Sequence, residues 1–407
     1  MSTNQRLLFA LLCGVVLFEG FDTNVAGIVL PYVGREFGAG SRALGSALSI
    51  IGLGAVLAFF TIRLGDRFGR RPVILGAVLG FGLFTFASAF VRSIDQFIVL
   101  QLCARVCLVT QLSTAYILLN EFLAADVRGR ASGVMGAAAS LGAALPAMLL
   151  QPAVDSGHGW RALFVIGALP LLLLPGLWRV LHESETWLAA RGGADGMSGA
   201  APPHTLLAQL RAVLTPQLRR RFIAISALWF LITFWSATLF FFTYYAFEER
   251  GWTPRHLQVI ALPALMSAVL GYSAAGWLMD RIGRRPATVL MLCLATTATV
   301  LCFRATGTWA VGTGWLLLQL ALGIWAIGHV MTTELFPTEV RAAAYGLAHN
   351  LIGRWGFVAG PAAVGWLAGP LSGASYAIVA LSVVNLLAIP LVLWVLPETR
   401  YVDLAQR

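Results

Sequence analysis

Apolar runs of about 20 residues, long enough to cross a bilayer as a helix, recur from one end of the chain to the other. Short clusters of charge, or of glycine and proline, separate them. Reading the runs between those breaks predicts helices over 7–30, 43–64, 72–92, 95–121, 131–153, 160–181, 221–247, 255–279, 286–305, 309–333, 341–368 and 373–396. The one long polar stretch, 182–220, contains Arg191-Gly-Gly-Ala-Asp-Gly196 and Ala201-Pro-Pro-His204 and reads as a linker. The expected fold class is an all-α membrane protein of twelve transmembrane helices, with a six-helix half over 1–181, a linker over 182–220 and a second six-helix half over 221–407.

The polar interruptions repeat. Gly65-Asp-Arg-Phe-Gly-Arg-Arg-Pro72 returns as Met279-Asp-Arg-Ile-Gly-Arg-Arg-Pro286, and Glu121-Phe-Leu-Ala-Ala-Asp-Val-Arg128 returns as Glu334-Leu-Phe-Pro-Thr-Glu-Val-Arg341. Ser184-Glu-Thr186 has a weaker echo in Pro397-Glu-Thr399. All three echoes fall at nearly one period and at the same end of matching helices, so the two halves form a parallel repeat. These motifs resemble those of the major facilitator superfamily over essentially the whole chain, the second copy more fully because Gly276 precedes Asp280 by four residues where the first has Ile62.

Two readings of the loop motifs stay open. Arg67, Arg70, Arg71 and their counterparts Arg281, Arg284, Arg285 serve as topology anchors, or they form a latch with Asp66 and Asp280 at helix ends. In the sugar-porter branch of the superfamily, matching Glu/Arg positions close the cytoplasmic side. The resemblance implies that gating role for Glu121, Arg128, Glu334 and Arg341.

Composition narrows the class. Only 11% of the 407 residues are charged and 58% are hydrophobic, against about 25% charged in a soluble chain. The net charge of +10 comes from arginines scattered between apolar runs, not from a stripe that would bind nucleic acid. Placing both termini in the cytoplasm puts most of the 28 arginines on the inside, as the positive-inside rule asks. Lysine is absent, which excludes a P-loop ATPase and a Schiff-base protein for this chain alone. No cofactor fingerprint, metal cluster or nucleophile constellation argues for an enzyme. Cys13, Cys103, Cys107, Cys293 and Cys302 all lie in apolar segments and read as small core residues. The first segment carries carboxylates and reads as a retained helix, not a cleaved signal. Short loops and the lack of any Asn-x-Ser/Thr sequon point to a bacterial inner membrane; the resemblance implies a monomer whose partners are lipid, protons and a small-molecule substrate.

Candidate chemistry sits where the halves differ. Glu19, Asp22, Arg105 and Arg354 are ionisable residues inside predicted spans, and their positions in the other half hold uncharged residues such as Ser236 for Asp22 and Ser140 for Arg354. A charge at the bilayer centre costs about 3 kcal/mol or more unless it faces a cavity or a partner. At a rise of about 1.5 Å per residue, Glu19 lies near the midplane and Asp22 about 5 Å further out, level with Arg105. An Asp22–Arg105 ion pair is therefore expected, with Arg354 level with Glu19.

The first helix, Glu19-Gly-Phe-Asp22, is similar to the Asp-Gly-aromatic-Asp motif of the aromatic acid:proton symporters, with glutamate in place of the first aspartate. The run Asn350-Leu-Ile-Gly-Arg354-Trp-Gly356 resembles the eleventh helix of that branch, where related anion carriers use an arginine. Arg354 is then a ligand for a substrate carboxylate, a cation satisfied by the first-helix carboxylates, or each in turn. The fourth helix departs from the pattern, with Gln101 at the usual arginine position and Arg105 one turn later. Asn350, Gln111, Trp235, Trp325, Trp355, Tyr244 and His329 complete the candidate substrate-binding set. Membrane-facing packing or interfacial belts are the alternative for the aromatic members, a satisfied core histidine for His329, and a membrane-buried helix contact for Gln111.

The resemblance implies a proton-coupled symporter for a small organic anion, with Glu19 and Asp22 carrying the proton against Arg105. A drug or metabolite exporter, a sugar carrier, and a receptor on the same scaffold are the alternatives. The exporters' helix 5 Gly-Pro motif and the sugar carriers' paired helix 7 glutamines are absent, and a long receptor tail is not expected here.

Overall fold

The computed structural model describes residues 3–122, 125–183, 188 and 206–400. Among them, eleven helices are long and apolar enough to cross a membrane. We label these α1 (Gln5–Phe37), α2 (Ser41–Ile62), α3 (Arg70–Ser88), α4 (Ile94–Leu119), α5 (Ala131–Asp155), α6 (Arg161–Val180), α7 (Arg219–Glu249), α8 (Pro254–Ile282), α9 (Arg284–Arg304), α10 (Thr308–Glu334) and α12 (Ala374–Trp394). Between the last two lies α11, a composite of Thr338–Tyr345, a π-helical turn Gly346–Ile352, a 3-10 turn Gly353–Trp355 and an α-helix Gly356–Ala368. The uninterrupted helix expected over 341–368 is thus broken at its centre.

The stretch expected to be all linker also differs, because Leu206–Val213 is a short amphipathic helix whose Val213 is buried. Residues 184–187 and 189–205 of that stretch lie outside the described residues. Of the cysteines read as core, Cys302 is buried, but Cys293 is exposed on the outer face of α9.

The chain forms two compact units. One comprises Met1–Ala39, Ile50–Gly199 and Gly251–Ala261; the other comprises Gly40–Ser49, Ala200–Arg250 and Leu262–Arg407.

In the first unit, α1 and α5 are packed backbone to backbone. A Cβ added at Gly20 would fall on the carbonyl oxygen of Ala139, and one added at Gly142 would fall on that of Leu17. Only glycine at both positions lets the helices meet so closely. Around this seam, Leu8, Leu12 and Val15 of α1 pack with Ile74 and Val78 of α3, Met135 of α5 and Leu177 of α6. The second unit repeats the seam between α7 and α11. Gly356, 214 residues after Gly142, sits against Thr233 Oγ1 and the backbone of Phe230 and Phe234.

The repeated loop motif has a geometric reason for its glycine. Gly69 and Gly283 take φ of +102° and +97°, a conformation that turns the chain sharply before α3 and α9. The space a side chain would fill is taken by a carboxylate, Glu183 in the first unit and Glu398 in the second. Glu183 accepts from the backbone N–H of Arg70 (2.7 Å) and of Arg71 (3.2 Å). Glu398 accepts from Arg284 (2.8 Å) and Arg285 (3.0 Å). Each carboxylate therefore caps a helix N-terminus whose first N–H groups have no internal partner. Ser184-Glu-Thr186, the weak echo of Pro397-Glu-Thr399, lies outside the described residues; in the first unit the capping carboxylate is Glu183.

Burial pulls the Glu398 pKa upward, but backbone N–H donation from Arg284, Arg285, Arg400 and Thr399 outweighs it and holds the carboxyl below its usual value. The stabilisation is therefore complete above the ordinary carboxylate range and is lost as pH falls through the lowered folded value. Glu398→Ala is expected to cost about 1 kcal/mol, as loss of a cap does, and to flatten the acid limb of a melting-temperature–pH profile. An unchanged profile would remove the cap from the stability of this loop.

Candidate functional site

Two clusters of polar and aromatic side chains lie within the spans, one in each unit. In the first, α1 presents Glu19, Asp22 and Thr23 toward α4. Arg105 donates from Nη1 to Thr23 Oγ1 (3.2 Å), and Thr23 donates to Glu19 Oε1 (3.1 Å). Arg105 is held there by α2, where Gly54 leaves room for its stem; a Cβ at Gly54 would lie 2.9 Å from Arg105 Cβ.

Asp22 is almost completely buried, and neither of its oxygens has a hydrogen-bond partner. Its polar neighbours are Arg105 and Thr85. The direct Asp22–Arg105 ion pair expected from helical depth is replaced by a hydrogen-bonded chain from Arg105 through Thr23 to Glu19, with Asp22 alongside in the field of the guanidinium. Depth along a helix fixes the level of a side chain; its azimuth decides which neighbour it meets.

Gln101, at the position usually held by arginine, turns away and donates to Ser88 Oγ (2.9 Å). Gln111 is fully buried with both amide atoms unpaired.

The second cluster gathers at the break in α11. Trp229 of α7 donates from its indole N–H to Thr332 Oγ1 of α10 (2.8 Å). Its ring lies against three others, His349 at 4.2 Å, His329 at 4.9 Å and Trp325 at 5.5 Å between centroids. His329 Nδ1 is 2.7 Å from the Tyr345 hydroxyl, and the His329 and His349 rings are 5.2 Å apart. Neither ring nitrogen of His349 has a hydrogen-bond partner.

Arg354 follows one turn later, donating from Nε to Asn350 Oδ1 (3.4 Å) and acting electrostatically on both histidines and Tyr345. The π-turn Gly346–Ile352 carries His349 and Asn350 into this arrangement, and such turns recur at functional positions because they re-aim side chains. Gly328 and Gly353 admit the Trp229 side chain between α10 and α11.

Arg354, Asn350, Trp325 and His329 are thus brought together. The other candidates of this unit stand apart. Trp235 is core, its N–H donated to Thr299 Oγ1 (3.0 Å). Tyr244 packs edge-on against Phe241, and Trp355 is 47% exposed without a ring partner. Sequence reasoning missed Trp229, Tyr345 and His349 as members. Straight helical spacing would not have found His349, because it lies within the π-turn that shifts its phase.

The loop candidates divide between the units. Glu334 accepts two hydrogen bonds from Arg284, Nη2 to Oε1 (2.8 Å) and Nε to Oε2 (3.0 Å), and a third from the Thr399 hydroxyl (2.6 Å). Asp280 stands 3.6 Å from Arg284. Arg341 donates to the Phe336 carbonyl (3.3 Å). Arg281 lies over the Trp277 ring and Arg67 over Phe68. In the first unit Arg70 donates to the Gly65 carbonyl (2.7 Å), as Arg284 does to that of Met279 (3.1 Å). The side chains of Asp66, Glu121 and Arg128 lie outside the described residues.

The family model of the Major Facilitator Superfamily matches residues 12–348 and again 258–407. The chain belongs to the major facilitator superfamily. It is a multi-pass inner-membrane transporter, not an enzyme. It is 28% identical to the gallate transporter of Pseudomonas putida over 398 residues, covering 88% of this chain and 85% of that one. It is also 28% identical to the 3-(3-hydroxy-phenyl)propionate transporter of Escherichia coli over 376 residues, covering 89% and 88%. In structure it superposes on a D-xylose-proton symporter with a TM-score of 0.76 at 18% identity, covering 98% and 99% of the two chains. That likeness concerns the fold, and it matches the all-helical architecture of this superfamily member.

Proposed function

We propose that this superfamily member is a proton-coupled symporter of an aromatic monocarboxylate, built as twelve spans in two six-helix halves with both termini in the cytoplasm. The observation that carries the substrate class is the placement of Arg354 beside the Trp229–Trp325–His329–His349 cluster. A guanidinium supplies paired donors for a carboxylate, and the flat faces next to it suit an aromatic ring. The relatives named for gallate and hydroxyphenylpropionate transport support the same class. In this reading Asp280, Arg281, Arg284 and Arg285, with Asp66, Arg67, Arg70 and Arg71, belong to the cytoplasmic gate, together with Glu121, Arg128, Glu334 and Arg341.

Coupling is assigned to the first unit. Asp22 is a buried carboxylate without a hydrogen bond, and Glu19 is tied to Arg105 through one hydroxyl. Protonation of either would relieve the cost of an intramembrane charge, and movement of Arg105 changes which of them bears it. The proton and the conformation are linked by that exchange.

The test is uptake of a labelled hydroxybenzoate into proteoliposomes under an imposed inward proton gradient. Wild-type protein accumulates the substrate above its outside level. The double variant Glu19→Gln, Asp22→Asn is expected to lose accumulation while retaining counterflow exchange. Accumulation by the double variant that still follows the pH gradient would end this assignment.

A further inference from the structure

The motif arginine Arg71 takes part in an arrangement that only the first unit has. Its counterpart Arg285 donates from Nε to the Val392 carbonyl of α12 (3.2 Å), and Arg71 donates from Nη2 to the Trp178 carbonyl of α6 (3.0 Å). Trp178 and Val392 are 214 residues apart, so the carbonyl contacts are one feature repeated. The side chains differ. In the first unit the Arg71 guanidinium also lies over the Trp178 ring, 5.2 Å from its centroid. Arg71 Nε, buried beneath, has no hydrogen-bond acceptor.

From this cation a groove of about 530 Å³ runs between α3 and α6. Beyond Arg71 and Trp178 its walls are Leu79, Leu174, Pro175 and Gly76. Leu79 and Trp178 are 46% and 64% exposed, and nothing lies within 4 Å of where a Gly76 side chain would project. The groove is therefore open on the outer face of the two helices. In a membrane that face meets lipid, not water.

We propose that this groove binds one anionic phospholipid, its phosphate on Arg71 and an acyl chain along Gly76, Leu79 and Leu174. The chemistry is polarised in the same sense as such a lipid. A cation with unused donors and an indole, the side chain favoured at headgroup depth, stand at one end, and an apolar channel leads from them toward the membrane interior. Arg179, next in sequence to Trp178, adds positive charge at the headgroup end. A transmembrane helix of a partner protein would find the apolar channel but leave the guanidinium donors without an acceptor. A soluble phosphate would use Arg71 but not the channel.

Binding is measured on purified, delipidated protein by native mass spectrometry and by melting temperature, titrated with phosphatidylglycerol, phosphatidylcholine or glycerol 3-phosphate. Wild-type protein is expected to retain one phosphatidylglycerol in preference to phosphatidylcholine, and its melting temperature to rise with phosphatidylglycerol concentration, since a ligand of the native state stabilises it. Gly76→Phe fills the groove while leaving Arg71 untouched, and Trp178→Val copies the second unit. Gly76→Phe is expected to abolish the retained lipid and the shift, and Trp178→Val to reduce both. Equal retention of the two lipids, an unchanged shift in both variants, or the same shift with glycerol 3-phosphate alone would each overturn the proposal.

Discussion

Gly142→Ala is expected to prevent this protein from accumulating in folded form. The added methyl would fall on the Leu17 carbonyl oxygen and lie 3.1 Å from the Phe21 nitrogen. Overpacking in a core usually costs about 1–3 kcal/mol because side chains shift aside. Here the opposing atoms are helix backbone, bound into their own hydrogen-bond ladder, and they cannot move without separating α1 from α5. Separation would also carry Glu19, Asp22 and Thr23 away from Arg105, so the site would fail together with the fold. Gly136→Ala, two turns earlier on α5, is the matched control, because the nearest atom to its added carbon is the Tyr116 hydroxyl at 4.0 Å. It is expected to fold normally. Monodisperse elution of Gly142→Ala at wild-type yield would contradict the backbone contact.

Glu334→Ala should give the second large loss. Arg284 and Glu334 are each 11% exposed and share two hydrogen bonds, and Thr399 supplies a third to the carboxylate. Removing one partner of a buried pair leaves an uncompensated charge and typically costs about 3–5 kcal/mol. The expected result is a marked fall in melting temperature, with loss of transport. Replacing both residues with apolar ones, Arg284→Met with Glu334→Leu, removes the stranded charge and is expected to recover most of the stability. Recovery of stability without recovery of transport would assign the pair to gating. A double variant with wild-type transport would reduce the network to a structural tie.

The pairing also shows what the repeat left open. Glu334 and Arg341 are joined by a motif and lie seven residues apart, yet the Phe336-Pro337 turn ends α10 and sends the chain into α11 before Arg341 is reached. Arg284, 50 residues away in sequence, arrives at the carboxylate because Gly283 turns the α9 N-terminus toward the end of α10. Motif membership identified the participants, and the turn geometry chose the partners.

Much of the fold was legible in the order of residues. Spans with so little charge could not be soluble helices, and an echo near 214 residues pointed to two similar halves. The glycines of the loop motif and of the α1–α5 seam were visible, but their reasons were not. Gly20 stands between two carboxylates in the sequence, and the structure sets the α5 backbone against it. Arg354, Asn350, Trp325 and His329 were legible as a set because charge and aromatic rings inside apolar runs are costly without a use. His349 was not, because helical periodicity fails across the π-turn that carries it.

The sequence by itself determined the class, the repeat, the family and which intramembrane residues carry charge, since each follows from composition or from spacing along one chain. The tertiary structure alone decided who meets whom: Arg105 on Thr23 with Asp22 left unbonded, Glu183 and Glu398 on the motif glycines, and Arg284 on Glu334. Those choices depend on the rotation of each helix about its axis and on the sharp turns between helices. Rotation is set by packing against residues far away in sequence, and no local pattern records it.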